Sequence, residues 1–247
     1  MSLLSVVKDV CAVVGVTIPT SVFASITGNR TMQEMLALAN EMAQRIAYDT
    51  REFRQMKTQM TFTGDGVTTA YNLPANYLRM LLTGNVWRST SALQPMQFIP
   101  EIDRWNQRRI LNLSDAWGEW TLLGNQILFD APMAAAVGST PAVTARFPYL
   151  DRNCVVLNAG GMGATFVNDA DSFRLDERLL KLGMIWQWKA NKGSPYAEDM
   201  GTYSDALQMA LGADKPAPII IDRVPSSATI PTSIAMVWPP GWGSVTR

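Results

Sequence analysis

The chain has 247 residues, 47% of them hydrophobic and 17% charged, enough to bury a core without disulfide staples. Its 21 Lys and Arg balance 21 Asp and Glu, so bulk charge supplies no attraction to nucleic acid. It contains no histidine, which excludes Ser-His-Asp and Cys-His catalysis and His-ligated zinc.

Cys11 and Cys154 form no CxxC or metal-like spacing, so a reducing compartment is expected. The N-terminal MSLLSVVKDVCAVVGV lacks the basic start of a signal peptide, and no run of about 18 apolar residues suggests a membrane span.

Leu3, Val6, Val7, Val10, Val13 and Val14 share one helical stripe that Gly15 stops. Thr31 and Glu34, in TMQE, read as a capping box opening a second helix, with Met32, Met35, Leu36, Ala39, Met42, Ala43 and Ile46 on its apolar face. At Met56 the period falls to two: Met56, Thr58, Met60 and Phe62 alternate with Lys57, Gln59, Thr61 and Thr63. GDG at 64–66 then predicts a hairpin returning through Val67, Thr69, Tyr71 and Leu73. A short helix is expected in PEIDRWNQRR, a second hairpin about Gly124-Asn125, and a strand through Val143, Ala145, Phe147 and Tyr149.

Helical spacing resumes near Asp176. Leu175, Leu179, Leu182 and Trp186 lie on one face, and Lys181, Ile185 and Trp188 on another. Trp186 and Trp188 are about 200° apart around a helix, so this helix is either covered on both sides or turns one side to another subunit. Gly193 closes it, and Ser194 and Pro195 read as N-cap and first residue of a last helix with Tyr196, Met200, Tyr203, Leu207 and Leu211 on its stripe. Residues 214–247 hold six of the 14 prolines (Pro216, Pro218, Pro225, Pro231, Pro239 and Pro240), yet PIIID and PPGWG are too apolar for a solvated linker. An extended arm is expected there.

Catalytic patterns are weak throughout. NAGGMGATF lacks the Lys-Ser/Thr of a P-loop and fails the G-x-G-x-x-G spacing. Asp169 and Asp171 have metal-like spacing without the rest of a calcium loop, so turn formation and capping explain them better. Arg104, Arg108 and Arg109 beside Trp105 could meet phosphate, but Glu101 and Asp103 favour a solvated face.

The stretch FVNDADSFRLDERLLKLGMIWQWKANKGSPYAEDMGTYSDAL resembles the adaptor (head–tail connector) proteins of tailed bacteriophages, with an acidic turn, a W-x-W-K-like run and Y-A-E-D opening the last helix. Upstream, FTGDGVTTAYNLPANYLRM is similar to that family's signature through Phe62, Gly66, Tyr71, Leu73, Pro74, Tyr77 and Arg79. The resemblance runs in order from residue 1 to about 213. It implies a structural, non-enzymatic virion protein without cofactors. Such a protein forms a dodecameric ring beneath the portal, assembled in the host cytoplasm and placed in the virion neck. It would carry the tail or nozzle protein, let genomic DNA pass without specific binding and touch no membrane.

The expected fold is α+β. A four-helix core (residues 1–55 and 173–213) carries a β-rich hairpin insertion (56–172) and an extended C-terminal arm (214–247). Trp186, Leu179, Leu182, Met35 and Ile46 are the expected core. Trp188, Ile219, Ile220, Ile221, Trp238 and Trp242 are the expected contacts with the portal or a neighbouring subunit. Two other functions compete. One is an envelope-degrading hydrolase using Asp169, Asp171, Asp176 or Glu177, which needs two carboxyls across a cleft. The other is a DNA-binding neck protein using Arg51, Arg54 and Lys57, weakened by the interleaved Asp49 and Glu52.

Overall fold

A computed structural model describes residues 2–49, 51–91 and 93–214. The expected arm, apart from Asp214, therefore lies outside the described residues, and with it Ile219, Ile220, Ile221, Trp238 and Trp242. The described part is mixed α+β, with six helices and three small sheets.

Helix α1 (Leu3–Val14) starts at Ser2, whose hydroxyl accepts from the Ser5 N–H at 3.4 Å, and ends at Gly15 in the left-handed conformation (φ 75°), as its sequence predicts. A single turn, α2 (Val22–Ser25), precedes α3 (Arg30–Gln44), which runs on through a π-helical turn, Arg45–Asp49. The cap of α3 differs from expectation. Asn29, not Thr31, caps it, accepting from the Thr31 and Met32 N–H groups at 3.1 and 3.3 Å. Glu34 does not reach back to the cap. It is held outward by Arg30 at 2.9 Å and Lys192 at 2.6 Å, and these hydrogen bonds, that of Lys192 foremost, lower its pKa.

The β-rich part begins with β1 (Lys57–Thr63), whose alternate residues Thr58, Met60 and Phe62 turn inward as predicted, as does Met56 in the single turn just before it. The expected first hairpin does not form. After GDG the chain leaves β1, and β2 (Ala70–Asn72) instead pairs with β7 (Gln126–Phe129). The partner of β1 is β8 (Thr144–Asp151), antiparallel, with Met60 opposite Phe147. Loop hydrogen bonds drive the departure: Gly64 N–H donates to Val143 O and Gly66 N–H to Met133 O, while the Asp65 carboxylate takes the Val67 and Thr68 N–H groups.

On its other side β8 carries β3 (Tyr77–Met80) and then β4 (Trp87–Arg88). A second sheet runs β2-β7-β6-β5, with β6 (Glu119–Leu123) and β7 joined by the predicted turn at Gly124, and β5 (Gln97–Phe98) parallel to β6. The short α4 (Ile102–Ile110) sits where the sequence places it. The third sheet is β10-β9-β11, from β9 (Val155–Val156), β10 (Met162–Gly163) and β11 (Ser172–Phe173). Gly160 and Gly161, both at positive φ, make the β9–β10 turn, so the glycine-rich loop is a turn of this sheet.

Two hydrophobic clusters result. The aromatic one joins Phe62, Trp120, Phe129, Phe147 and Tyr149, with Phe62 at 5.4 Å from Tyr71 between ring centroids. The larger one belongs to the helices, and Leu150, Cys154, Val155, Phe166 and Phe173 join it. At its centre lies α5 (Glu177–Asn191), which packs on α1, α3 and α6 (Ala197–Ala213). Two lysines of α5 and its C-cap Lys192 tie it outward, one to each neighbour: Lys181 to Asp9 (2.8 Å), Lys192 to Glu34 (2.6 Å) and Lys189 to Asp199 (2.6 Å). The start of α6 also departs from expectation. Ser194 N–H closes α5 on Lys189 O, Pro195 still lies in the connection, and Tyr196 precedes the helix without a side-chain cap.

Candidate functional site

The acidic turn between β10 and α5 gathers the carboxylates that could have formed a hydrolytic pair. Asp171 is buried and accepts three backbone N–H groups, from Asn158 (2.9 Å), Val167 (2.8 Å) and Asn168 (2.7 Å). Asp169 accepts from the Val22 and Phe23 N–H groups at 2.9 and 3.3 Å and from the Ser21 hydroxyl, so it caps α2. The turn's carbonyls also meet the first N–H groups of α1: Leu3 donates to Asp171 O at 2.7 Å and Leu4 to Asp169 O at 3.1 Å. Asp176 caps α5 through the Arg178 N–H at 2.8 Å, and Glu177 occupies the first turn of that helix. Asp171 forms the turn and Asp176 caps the following helix as expected, whereas Asp169 caps the distant α2 in place of the helix that follows it. Among the described residues no three His, Cys, Asp or Glu side chains gather as a metal site.

The basic candidates are similarly committed. Arg54 donates through its backbone N–H to the Asp214 carboxylate (2.8 Å) and through its guanidinium to Asp214 O (3.1 Å). Lys57 and Arg79 share Glu52, at 3.6 and 3.0 Å, and Arg51 is exposed. On α4, Arg104 and Arg109 are exposed as expected, but Arg108 makes a bidentate pair with Glu119 of β6. Glu119 is almost fully buried, and sequence spacing gave no sign of this pair because the partners lie on different elements.

The two tryptophans of α5 point to different neighbours. Trp186 lies 6.0 Å from Tyr203 and 6.5 Å from Tyr196 between ring centroids, with the Arg45 guanidinium 5.5 Å from its ring. Trp188 carries the Lys192 ammonium 4.6 Å from its ring. Their exposures, 8% and 7%, are nearly equal, so within one subunit Trp188 is no more available than Trp186. Leu179, Met35 and Ile46 are buried, whereas Leu182 is half-buried at the cluster's edge, since Met184 and Ile185 take the inner positions.

Trp188 also forms part of the wall of a recess beside these helices, about 640 Å3. Val13 and Val14 from the end of α1 and Pro195 and Ala197 before and in α6 supply its apolar lining, and Glu198 and Asp199 supply its acidic rim. Helix α6 fully buries Tyr203, packs the half-buried Ala206, Leu207, Ala210 and Leu211 on the core, and leaves Met200 and Met209 exposed, as is Tyr196 just before it. No helix among the described residues is long and apolar enough to cross a membrane. The chain matches no known family model and no curated protein.

Proposed function

We propose that this chain is a structural adaptor of the virion neck in a tailed bacteriophage. Its role is to form a dodecameric ring below the portal, extend the DNA channel and present a platform for the tail or nozzle protein. Its chemistry is assembly, with no cofactor and no reaction. In this proposal the helices α1, α3, α5 and α6 form the four-helix core of residues 1–55 and 173–213. Residues 56–172 are the β-rich insertion and 214–247 the arm, whose Ile219, Ile220, Ile221, Trp238 and Trp242 anchor on the portal or a neighbour.

The observation that carries the reading is helix α6. Tyr203, Leu207, Ala210 and Leu211 pack this 17-residue helix on its own subunit, but Met200 and Met209, with Tyr196 just before the helix, stay exposed and leave apolar surface open to a further contact. A ring neighbour covering it, with Trp188 at the adjoining recess, accounts for that composition. The hydrolase reading is disfavoured because Asp169, Asp171 and Asp176 are engaged as backbone caps. The DNA-binding neck reading is disfavoured because Lys57 is paired with Glu52 and the Arg54 guanidinium is held on the Asp214 carbonyl. A channel through which DNA slides is better served by such neutralised surfaces than by free basic patches. Electron microscopy of the protein mixed with the portal ring of its virus tests the proposal: added density of ring symmetry on the portal is expected, and bare portals would overturn it.

A further inference from the structure

The outward face of the sheet formed by β1, β8, β3 and β4 carries a recess of about 340 Å3 lined by Gln59, Asn85, Trp87, Arg146 and Pro148. That lies within the roughly 300–1,000 Å3 of small-molecule sites. Register explains why these side chains meet. Arg146 is opposite both Thr61 of β1 and Trp87 of β4, and Pro148, two residues along β8, is opposite Gln59, so all of these project from one face.

The recess exists because the sheet is interrupted there. Thr144 O accepts from Ser89 N–H and Arg152 N–H donates to Asn76 O, so even-numbered residues of β8 turn their backbone towards β3 and β4. Pro148 falls between those two strands, where β8 has no neighbour, and its missing N–H leaves no ladder partner unmet. Residues 81–86 loop out at this gap. Gly84 comes so close that a Cβ there would stand 2.9 Å from the Pro148 ring.

The groups in the recess are uncommitted. Trp87 is 39% exposed. None of the side chains of Gln59, Asn85, Trp87 and Arg146 has a hydrogen-bond or ion-pair partner among the described residues. We propose that this recess binds a pyranose ring of a glycan, the apolar face of the sugar stacked on the Trp87 indole. The Arg146 guanidinium and the two amides would then hydrogen-bond the ring hydroxyls.

Chemistry selects this class. No carboxylate lines the recess, so it offers nothing to a metal ion or an amine. A single guanidinium among neutral groups gives a polyphosphate chain one charge contact, not the cationic track that single-stranded nucleic acid requires. A purely apolar ligand would strand three polar groups. A sugar uses both the flat apolar platform and planar donors of fixed geometry. This site stands independently of the adaptor reading, since it uses no residue of the proposed ring contacts.

Saturation-transfer-difference NMR of the full-length protein with millimolar methyl glucoside, methyl galactoside, N-acetylglucosamine and rhamnose tests it. At least one sugar should receive saturation at its ring protons. Trp87→Ala should reduce that affinity at least tenfold, and Arg146→Gln and Gln59→Ala more modestly, with melting temperatures unchanged. The proposal is overturned if no sugar responds, or if Trp87→Ala responds like the parent. It is also overturned if an oligothymidylate binds instead in an Arg146-dependent way, or if Trp87→Ala changes only the oligomeric mass.

Discussion

Gly183 of α5 lies so close to Met42 of α3 that a methyl group added to it would come within 2.6 Å of the Met42 methyl. Met42 is fully buried, so the end of its side chain has little room to retreat. Glycine costs a helix interior about 1 kcal/mol relative to alanine, yet it is kept at this crossing because it lets α3 and α5 approach. Gly183→Ala is therefore expected to lower stability by about 1 kcal/mol, overpacking exceeding the gain in propensity. In a Met42→Ala background the sign should reverse, because the methyl then enters the space Met42 left. A urea-unfolding double-mutant cycle measures both, and simple additivity would contradict the packing account.

Asp171 separates a structural role from a catalytic one. Asp171→Ala strands three backbone donors in a buried turn and should cost at least about 3 kcal/mol in thermal or urea unfolding. Asp169→Ala removes the acceptor of the Val22 and Phe23 N–H groups but leaves the Ser21 cap of α2, and should cost about 1 kcal/mol. An Asp171→Ala protein with unchanged stability would revive the hydrolase reading.

Arg108 is expected to matter for folding through its partner. With Arg108→Ala, the Glu119 carboxylate, 1% exposed, loses its bidentate partner and is left buried without it. The single variant should melt well below the parent. The double variant Arg108→Met with Glu119→Leu should melt higher than the single one, since no buried polar group is then left without its partner. Equal melting of the two would show that Glu119 needs no neutralisation.

The loop after β1 should resist acid. Hydrogen bonds from the Thr68 hydroxyl, the Thr68 N–H and the Val67 N–H hold the Asp65 carboxyl down at about 2, against an ordinary value of 3.8. A depressed folded-state pKa means that the loop's ionised form stabilises the fold above pH 3.8 and loses that contribution as pH falls through about 2. Carboxyl-carbon NMR titration should find Asp65 at that low value, and Thr68→Ala should move it towards 3.8. A normal Asp65 in the parent protein would contradict the geometry.

What was legible in the sequence was local. The stripes of Met35, Met42 and Ile46, the Gly15 stop, the Gly124 turn and the alternation from Met56 to Phe62 follow from residue spacing, because helices and strands impose fixed periods. Partner choice was not legible. The alternation of β1 shows which residues turn inward but not that β8 pairs with it in place of β2, since any strand of suitable pattern satisfies the same face. Cap positions slipped for a similar reason. Asn29 and Thr31 are both good cap residues, and Gly28, at positive φ, brings the chain in so that Asn29 meets the helix first. The Arg108–Glu119 pair joins a helix to a strand and leaves no trace in spacing. For the candidate site, the capping role of Asp176 followed from its position before α5, whereas the hold of Asp169 on α2 and of Asp171 on Asn158 joins segments distant in sequence and was not legible. Nor was the near-equal burial of Trp186 and Trp188, because helical angle says where a side chain points and not what covers it.

The most direct test of the adaptor reading is native mass spectrometry of the protein with and without its portal ring, for the full chain and for a version lacking residues 216–247. The expected result is a monomer alone, twelve copies on each portal ring, and no binding by the shortened chain at unchanged melting temperature. A stable dodecamer without portal would contradict the partner-gated assembly, normal docking of the shortened chain would contradict the role of the arm, and no association in any mixture would contradict the adaptor function itself.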